Sequence, residues 1–223
     1  MSSDRDMRAN GTRGNAPIIY VVDDNPEICG LVRRLLESVG LAVETFTDAQ
    51  KFLDELKVTG PSCLILDMRM PGLSGLDIQS RLREAGIDIP TIFLTGFGSV
   101  PLSVQAMKAG AVDFLEKPFE NQALIDVVQR AVASGVRQWR ERATREELEA
   151  RLASLSPRER EVFLLVVAGL PNKQIAAELG TSEKTVKIHR AHVMAKMKAD
   201  SLAALVHMAD TLRVETPKTP HTS

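Results

Sequence analysis

The sequence predicts an α/β amino-terminal domain, a doubly wound (βα)5 parallel sheet, followed by a long helical linker and an all-α domain of four helices that includes a helix-turn-helix. Between residues 17 and 130, short apolar runs alternate with helical patterns five times, which is typical of parallel strands joined by crossover helices. These runs are apolar at nearly every position, as in strands buried on both faces. Beyond residue 130 the periodic segments have the helical period.

Apolar runs and turn residues predict the order of elements in the amino-terminal domain. Four runs are expected to be strands: 18–22, 63–66, 91–94 and 112–116. Capping residues and stop glycines predict helices from 24–26 to Ser38, from Asp48 to Lys57, from Gly75 to Glu84, from Val100 to Ala109, and from Glu120 or Asn121 onward.

Polar residues stand at the carboxyl ends of these four predicted strands. Asp23 and Asp24 follow the first, Asp67 follows the second, Thr95 the third and Lys117 the fourth. Ligand sites of open α/β sheets lie outside the carboxyl ends of the strands, so these side chains are expected to share one crevice. Three converging carboxylates would repel one another strongly without a cation, and we therefore expect Mg²⁺ there.

Each of these residues has a simpler interpretation when it is taken alone. Asp24 could be a helix cap, Thr95 could cap the segment after it, and Lys117 could be an exposed turn lysine before a proline. Because four strand ends are expected on one rim of the sheet, a shared site is the stronger interpretation.

The helix that begins near Asn121 meets no clear stop signal before Ser154. Gly135 is the only helix breaker, and the segment 137–155 is rich in the good helix formers Arg, Glu, Ala and Leu. We assign residues 131–153 to a helical linker, which either pairs with the linker of a partner copy or remains a solvated spacer.

Residues 154–213 are expected to form four helices. Ser156 and Glu159 form a capping box at the start of the first helix. The tight turn at Gly180 makes the second and third helices a helix-turn-helix. The second to fourth helices are expected at Asn172 to Leu179, Thr181 to about Ala199, and Ser201 to Leu212.

The two predicted domains differ in charge. Residues 17–130 carry ten basic and sixteen acidic side chains, a net charge of −6, whereas residues 172–198 carry six and two, a net charge of +4. On the third helix of the second domain, Val186, Val193 and Met197 form one apolar stripe, and lysines lie on the opposite side. This pattern favours DNA in the major groove over a solvated face of a helical bundle.

The histidines and cysteines lack the spacing of a metal site. His189 and His192 could bind one ion together, but no further Cys, Asp or His cluster accompanies them. We expect packing and backbone contacts for both histidines. Cys29 and Cys63 are expected to be small buried hydrophobic residues.

Composition excludes several classes of protein. With 44% hydrophobic and 26% charged residues, the chain is expected to be an ordinary globular protein. No apolar run approaches the roughly 20 residues of a membrane span, and the polar start has no signal-peptide core. We expect a cytoplasmic protein without membrane contact, with disordered tails at 1–16 and 214–223.

The motifs at the strand ends resemble those of two-component receiver domains. The segments that carry this likeness are 21–24, 66–72, 94–96, 106–111 and 116–119. Further along, 155–162, 172–176 and 184–190 resemble a LuxR-type helix-turn-helix. Across residues 17–212 the chain therefore resembles the NarL/FixJ response regulators, and the segment Val193 to Met197 leans to the FixJ side.

This resemblance implies a role for each residue of the crevice. Asp67 would accept a phosphoryl group from a sensor histidine kinase, and Asp23, Asp24 and the backbone carbonyl of Arg69 would hold Mg²⁺ beside it. Such a protein catalyses only its own phosphorylation and dephosphorylation, by positioning and electrostatics. The phosphoryl-binding hydroxyl, the charge-pairing lysine and the aromatic switch of the family correspond to Thr95, Lys117 and Phe114.

The resemblance also implies partners. Val104 and Lys108 match a dimer contact that phosphorylation would favour, and promoter DNA and RNA polymerase would follow as partners of the homodimer. Arg190 is assigned to a DNA phosphate, and Ala191 replaces a lysine of some relatives, which leaves the base preference open. The DNA-contacting positions would be Lys173, Lys184, Thr185, Lys187, Ile188, Arg190 and Ala191.

Other functions compete with a phosphorylation-controlled transcription factor. A hydrolase of the haloacid dehalogenase type needs an Asp two residues after its nucleophile, where this chain has Arg69. A scaffold that is never phosphorylated has no physical reason to retain converging carboxylates. RNA is a conceivable partner, but a helix-turn-helix favours duplex DNA.

Overall fold

The computed structural model describes residues 16–96 and 110–215, which form two compact units that divide after Arg140. The first unit contains a five-stranded sheet made of β1 (Ile18–Val22), β2 (Ala42–Phe46), β3 (Ser62–Asp67), β4 (Thr91–Thr95) and β5 (Asp113–Glu116). All strands are parallel, in the order β2-β1-β3-β4-β5. The described helices that begin in this unit are α1 (Pro26–Ser38), α2 (Ala49–Glu55), α3 (Gly75–Glu84) and α4 (Asn121–Ala153).

Local side chains determine where three of these helices begin. Asn25 accepts a hydrogen bond from a first-turn amide of α1 at 2.9 Å, and Asp48 accepts one from the amide of Lys51 in α2 at 2.7 Å. Ser74 and Asp77 form a capping box at the start of α3. These oxygens satisfy amide groups that a helix leaves without an internal partner.

The strand order reverses beside β1. The chain moves outward from β1 to β2 and then returns to the other side of β1 to form β3. The carboxyl ends of β1 and β3 therefore border the crevice in which open α/β sheets bind ligands. Apolar cores cover both faces of the sheet, since Ile19 and Val21 pack on one face and Tyr20 and Val22 on the other.

Helix α4 runs without interruption for 33 residues, through Gly135. A Cβ atom at Gly135 would lie 2.3 Å from the carbonyl oxygen of Ser62, so the glycine permits a close approach to β3 and does not break the helix. In the first unit, Leu124 and Val128 of this helix are part of the core beneath the sheet. In the second unit, Leu148 belongs to the helical core.

The second unit consists of the end of α4 and four further helices: α5 (Pro157–Val167), α6 (Asn172–Glu178), α7 (Glu183–Met197) and α8 (Leu202–Thr211). Serine side chains cap three of them, and Gly180 makes the turn between α6 and α7 with a positive φ of 60°. A positive φ suits glycine because it has no Cβ. Phe163, Val186 and Val193 are fully buried in the core of this unit.

The predicted fold class is confirmed: a parallel α/β sheet precedes an all-α unit with a helix-turn-helix. Strand β2 was implied by the five-fold alternation but was not located, and α2 ends two residues before the predicted Lys57. Cys29 and Cys63 are both buried and form no disulfide. Within the described parts of the chain, each helix lacks the combined length and apolar character that a membrane span requires.

Several predictions fall outside the described residues. The helix expected from Val100 to Ala109 lies there, together with the proposed dimer contacts Val104 and Lys108. Residues 1–15 and 216–223, which contain most of the two tails expected to be disordered, lie there as well.

Candidate functional site

Three carboxylates meet at the carboxyl edge of the sheet. Asp23 directly follows β1, Asp24 comes next in the chain, and Asp67 is the last residue of β3. One oxygen from each carboxylate lies within 4.8 Å of the oxygens of the other two. Asp23 and Asp67 are buried, whereas Asp24 is exposed, so the cluster is in contact with solvent through Asp24.

Lys117 bridges two of these carboxylates. Its Nζ donates to Asp23 Oδ2 at 2.6 Å and to Asp67 Oδ1 at 2.9 Å. Burial by itself would lower the pKa of Lys117, but the hydrogen bonds to Asp23 and Asp67 and the charges of these two carboxylates together raise it above its usual value. The ammonium therefore stays charged, and it is held against the carboxylates.

Asp67 remains short of positive charge in spite of this lysine. Burial, the largest cause, and the charges of Asp23 and Asp24 together raise the pKa of Asp67 more than the hydrogen bond and the charge of Lys117 lower it. A cluster of three carboxylates with one ammonium has an excess of negative charge. Such an excess attracts a cation.

The donor set fits Mg²⁺. This hard ion prefers oxygen ligands, usually one or two carboxylates together with several waters and phosphate oxygens. Asp23, Asp24 and Asp67 offer three carboxylates close enough for one ion, and the exposure of Asp24 leaves room for water. Arg69, whose carbonyl was predicted as a further ligand, is an exposed residue just beyond β3.

Main-chain hydrogen bonds hold the ends of the central strands together. The amide of Met68, next to Asp67, donates to the carbonyl of Leu94 at 2.9 Å, and the amide of Lys117 donates to the carbonyl of Thr95 at 2.7 Å. The amide of Asn25 donates to Asp23 Oδ1 at 3.0 Å, which holds that carboxylate at the start of α1.

Gly75 is a residue of this site that the sequence analysis did not identify. A Cβ atom there would lie 2.5 Å from the carbonyl oxygen of Asp67 and 2.9 Å from the ring of Phe93. Only glycine lets the start of α3 approach the end of β3 this closely. The sequence feature that could have identified Gly75 is a glycine at the first position of a capped helix.

Thr95 and Phe114 lie on neighbouring strands near this edge. Thr95 is the last residue of β4, is almost fully buried, and pairs in the ladder with Glu116 of β5. Phe114, in the middle of β5, is 39% exposed although it is a large apolar side chain.

Helix α7 presents a polar face away from its core. Val186, Val193 and Met197 are buried, which confirms the predicted apolar stripe. Ile188 is 49% exposed, so this face carries one large apolar side chain beside its lysines. The exposed members of the predicted DNA-contacting set are Lys173, Lys184, Lys187, Ile188 and Ala191.

Thr185 and Arg190, the other two members of the predicted DNA-contacting set, are partly buried. Arg190 Nη1 donates to Asn172 Oδ1 at 3.1 Å and so links α7 to the start of α6. Thr185 donates its amide to the capping hydroxyl of Ser182 at 3.1 Å. Both residues therefore help to hold the helix-turn-helix together.

Glu159 lies beside the two histidines of α7, which the sequence analysis did not foresee. One ligand atom from each of Glu159, His189 and His192 lies within 4.8 Å of the other two. From the sequence, Glu159 was assigned only to a capping box. Tertiary packing brings the three residues together.

Models of two protein families match this chain. The response regulator receiver domain matches residues 19–129, and the model described as bacterial regulatory proteins, luxR family, matches residues 153–209. The first match includes the carboxylate cluster and Lys117, and the second includes α7.

Similar proteins extend over both matches. Nodulation protein W from Bradyrhizobium diazoefficiens is 46% identical across 97% of this chain and 97% of its own length. Transcriptional regulatory protein FixJ from the same organism is 44% identical across 86% of this chain and 93% of its own length. The solved structure of the response regulator StyR is 45% identical and covers 87% of this chain and 98% of its own, with a TM-score of 0.78.

Proposed function

We propose that this chain is switched by phosphorylation of Asp67. The chain belongs to the two-component response regulators that join a receiver domain to a LuxR-type DNA-binding domain. The observation that carries the proposal is the cluster of Asp23, Asp24, Asp67 and Lys117 at the switch in strand order. In this proposal residues 17–130 are the receiver, 131–153 the linker and 154–213 the DNA-binding domain.

Asp67 acts as the nucleophile towards the phosphohistidine of a sensor kinase. A bond forms between a carboxylate oxygen and phosphorus while the bond from phosphorus to the histidine nitrogen breaks, and the electron pair remains on the imidazole. Asp67 must be ionised for this step, and the ammonium of Lys117 at 2.9 Å favours the ionised form. The chain turns over no other substrate.

Charge compensation is the main contribution of the site. Asp23, Asp24, Asp67 and the carbonyl of Arg69 would hold Mg²⁺, which would supply positive charge against the phosphoryl oxygens. Lys117 pairs with one phosphoryl oxygen, and the hydroxyl of Thr95 donates to another. The half-exposed ring of Phe114 then turns inward, because the movement of Thr95 leaves space for it.

The conformational change favours a homodimer through Val104 and Lys108, and two copies of α7 then bind promoter DNA. Lys187 and Ile188 read base edges, while Lys173, Lys184 and Arg190 contact phosphates, with Thr185 and Ala191 at the interface. The bound dimer recruits or obstructs RNA polymerase. Since its partner is promoter DNA, we assign its action to the cytoplasm.

Phosphoryl transfer is tested by incubation with acetyl phosphate and Mg²⁺. The expected product carries one acid-labile phosphoryl group per chain, detected by mass spectrometry of the intact protein. Asp67→Asn should abolish the product, and Asp54→Asn, an exposed carboxylate on α2, is the matched control. Full labelling of the Asp67→Asn protein would exclude Asp67 as the acceptor.

DNA binding is tested on duplexes selected from random sequence by the phosphorylated protein. Lys187→Ala should weaken binding by about 1–3 kcal/mol and relax preference at one base position. Arg190→Ala should weaken binding to all sequences alike and reduce the salt dependence. Lys51→Ala, on the exposed side of α2, is the control. If both α7 variants bind as the control does, this helix does not face DNA.

A further inference from the structure

Two helices of the second unit bring three metal-binding side chains together away from the carboxylate cluster. Glu159 lies in the first turn of α5, and His189 and His192 lie three residues apart on one face of α7. We propose that Glu159, His189 and His192 form a zinc site that joins α5 to the DNA-facing helix α7. Nothing in the phosphorylation mechanism requires these residues.

The carboxylate of Glu159 has one oxygen available for a metal ion. Its Oε2 accepts hydrogen bonds from Lys196 Nζ at 2.6 Å and from the amide of Ser156 at 2.8 Å. Its Oε1 points towards His192, whose Nδ1 lies 3.4 Å away. The hydrogen bond from Lys196, and then that from the Ser156 amide, lower the pKa of Glu159 to about 2, so the group is a carboxylate at neutral pH.

His189 has a nitrogen without a partner. Its Nδ1 is buried and makes no hydrogen bond within the described residues. A buried ring nitrogen in this condition is costly, and native structures usually satisfy it with a hydrogen bond, a water or an ion. The imidazole is therefore not committed through Nδ1 to another element of the fold.

The spacing of the three residues suits one zinc ion after a small adjustment. Two ligands of a tetrahedral Zn²⁺ are roughly 3.3 Å apart, since each zinc–ligand bond is about 2.0–2.1 Å long. The three ligand atoms already lie within 4.8 Å of one another, and the side chain of His192 is 58% exposed and free to turn towards the ion. Solvent at this exposed side supplies the fourth ligand, a water molecule.

The chemistry of the ligands selects zinc over the magnesium of the receiver. Two imidazole nitrogens and one carboxylate oxygen form a ligand set that zinc accepts readily. Magnesium prefers oxygen ligands throughout. The protein would thus bind two different metal ions at two sites, and each can be removed without the other.

Bound zinc would stabilise the arrangement of α5 and α7. The helix that carries Lys187 and Ile188 would be attached to the start of α5 by the metal as well as by Lys196, which already reaches Glu159 and the carbonyl of Ser154. Because the ion binds only where the three ligands meet, it favours the folded unit by mass action.

The test is equilibrium dialysis of the full chain against buffered Zn²⁺, with millimolar Mg²⁺ present to fill the carboxylate cluster. We expect one zinc ion per chain and a zinc X-ray absorption spectrum with two imidazole ligands. His192→Gln and Glu159→Gln should each weaken zinc binding at least about tenfold. Gln at position 159 keeps the capping hydrogen bond, so this variant still folds.

His207→Gln is the matched control, because His207 is an exposed histidine of the same unit outside the cluster. Zinc should raise the thermal unfolding midpoint of the unaltered chain and of His207→Gln, but not of His192→Gln. Equal zinc affinity in His192→Gln and His207→Gln would overturn the proposal. So would a zinc ion that is lost on Asp24→Asn, since it would then lie in the carboxylate cluster.

Discussion

Each unit of this protein pairs a lysine with carboxylate oxygens, but the balance of charge differs between the two arrangements. Lys117 is shared between Asp23 and Asp67, at 2.6 and 2.9 Å, with a third carboxylate nearby. Among the described residues, Lys196 forms an ion pair with one carboxylate, that of Glu159, at 2.6 Å. One lysine is outnumbered in the first unit, whereas charges are matched in the second.

The pKa values of the acids express this difference. Burial, the largest cause, raises the pKa of Asp67, whereas the hydrogen bond from Lys196 lowers the pKa of Glu159 to about 2. The first unit therefore holds a carboxylate, Asp67, whose ionised form is unfavourable in the absence of a further cation. The second unit holds a carboxylate, Glu159, whose ion pair with Lys196 stabilises the fold.

The largest expected effect is a loss of stability from overpacking at Gly75, beside Asp67. Gly75→Ala places a Cβ 2.5 Å from the carbonyl oxygen of Asp67, and overpacking of this kind should cost about 3 kcal/mol of the free energy of unfolding. Gly169→Ala, in the second unit, has open space but a φ of +87°, and should cost about 1 kcal/mol. Urea unfolding followed by circular dichroism measures both. Equal losses would show that space around Asp67 is not limiting.

A second prediction concerns the charge of Asp67. Because its pKa is raised in the folded protein, the carboxylate costs stability once the pH rises above the ordinary value of 3.8. In metal-free buffer at neutral pH, Asp67→Asn should therefore raise the free energy of unfolding, on the order of 1 kcal/mol. The gain should disappear as the pH falls towards 3.8.

The fluorescence of Trp139, the only tryptophan, reports unfolding of the first unit in this experiment. Asp54→Asn, which alters an exposed carboxylate, should show no such gain. A less stable Asp67→Asn protein at neutral pH would mean that the pair with Lys117 outweighs the repulsion.

The smallest expected effect is a loss of stability when Glu159 is replaced, opposite in sign to the gain expected for Asp67→Asn. Its pKa is lowered from 4.5 to about 2, so its contribution to stability is present above pH 4.5 and is lost as the pH falls towards 2. Glu159→Gln should therefore lower the thermal unfolding midpoint at neutral pH with a chelator present. The difference from the unaltered chain should shrink through that acid range. A difference that stays constant with pH would exclude the ion pair as its cause.

Features that depend on neighbours in the chain could be predicted from the sequence. Asp48 and Ser156 cap helices as predicted, because a cap acts within a few residues of itself. Strand β2 was not located, because it lies at the edge of the sheet and its residues are half-exposed with polar members such as Glu44.

Acidic and basic groups could be assigned to one edge of the sheet from the sequence, because parallel strands end on the same side. The contacts of Lys117 with Asp23 and Asp67, which are 94 and 50 residues away, and the meeting of Glu159 with His189 and His192 depend on the packing of the folded chain. The same holds for Gly75 and Gly135. A Cβ atom added at either glycine would lie within 3 Å of atoms of a neighbouring element. Local patterns report the period and ends of an element, whereas contacts between elements depend on how their surfaces pack.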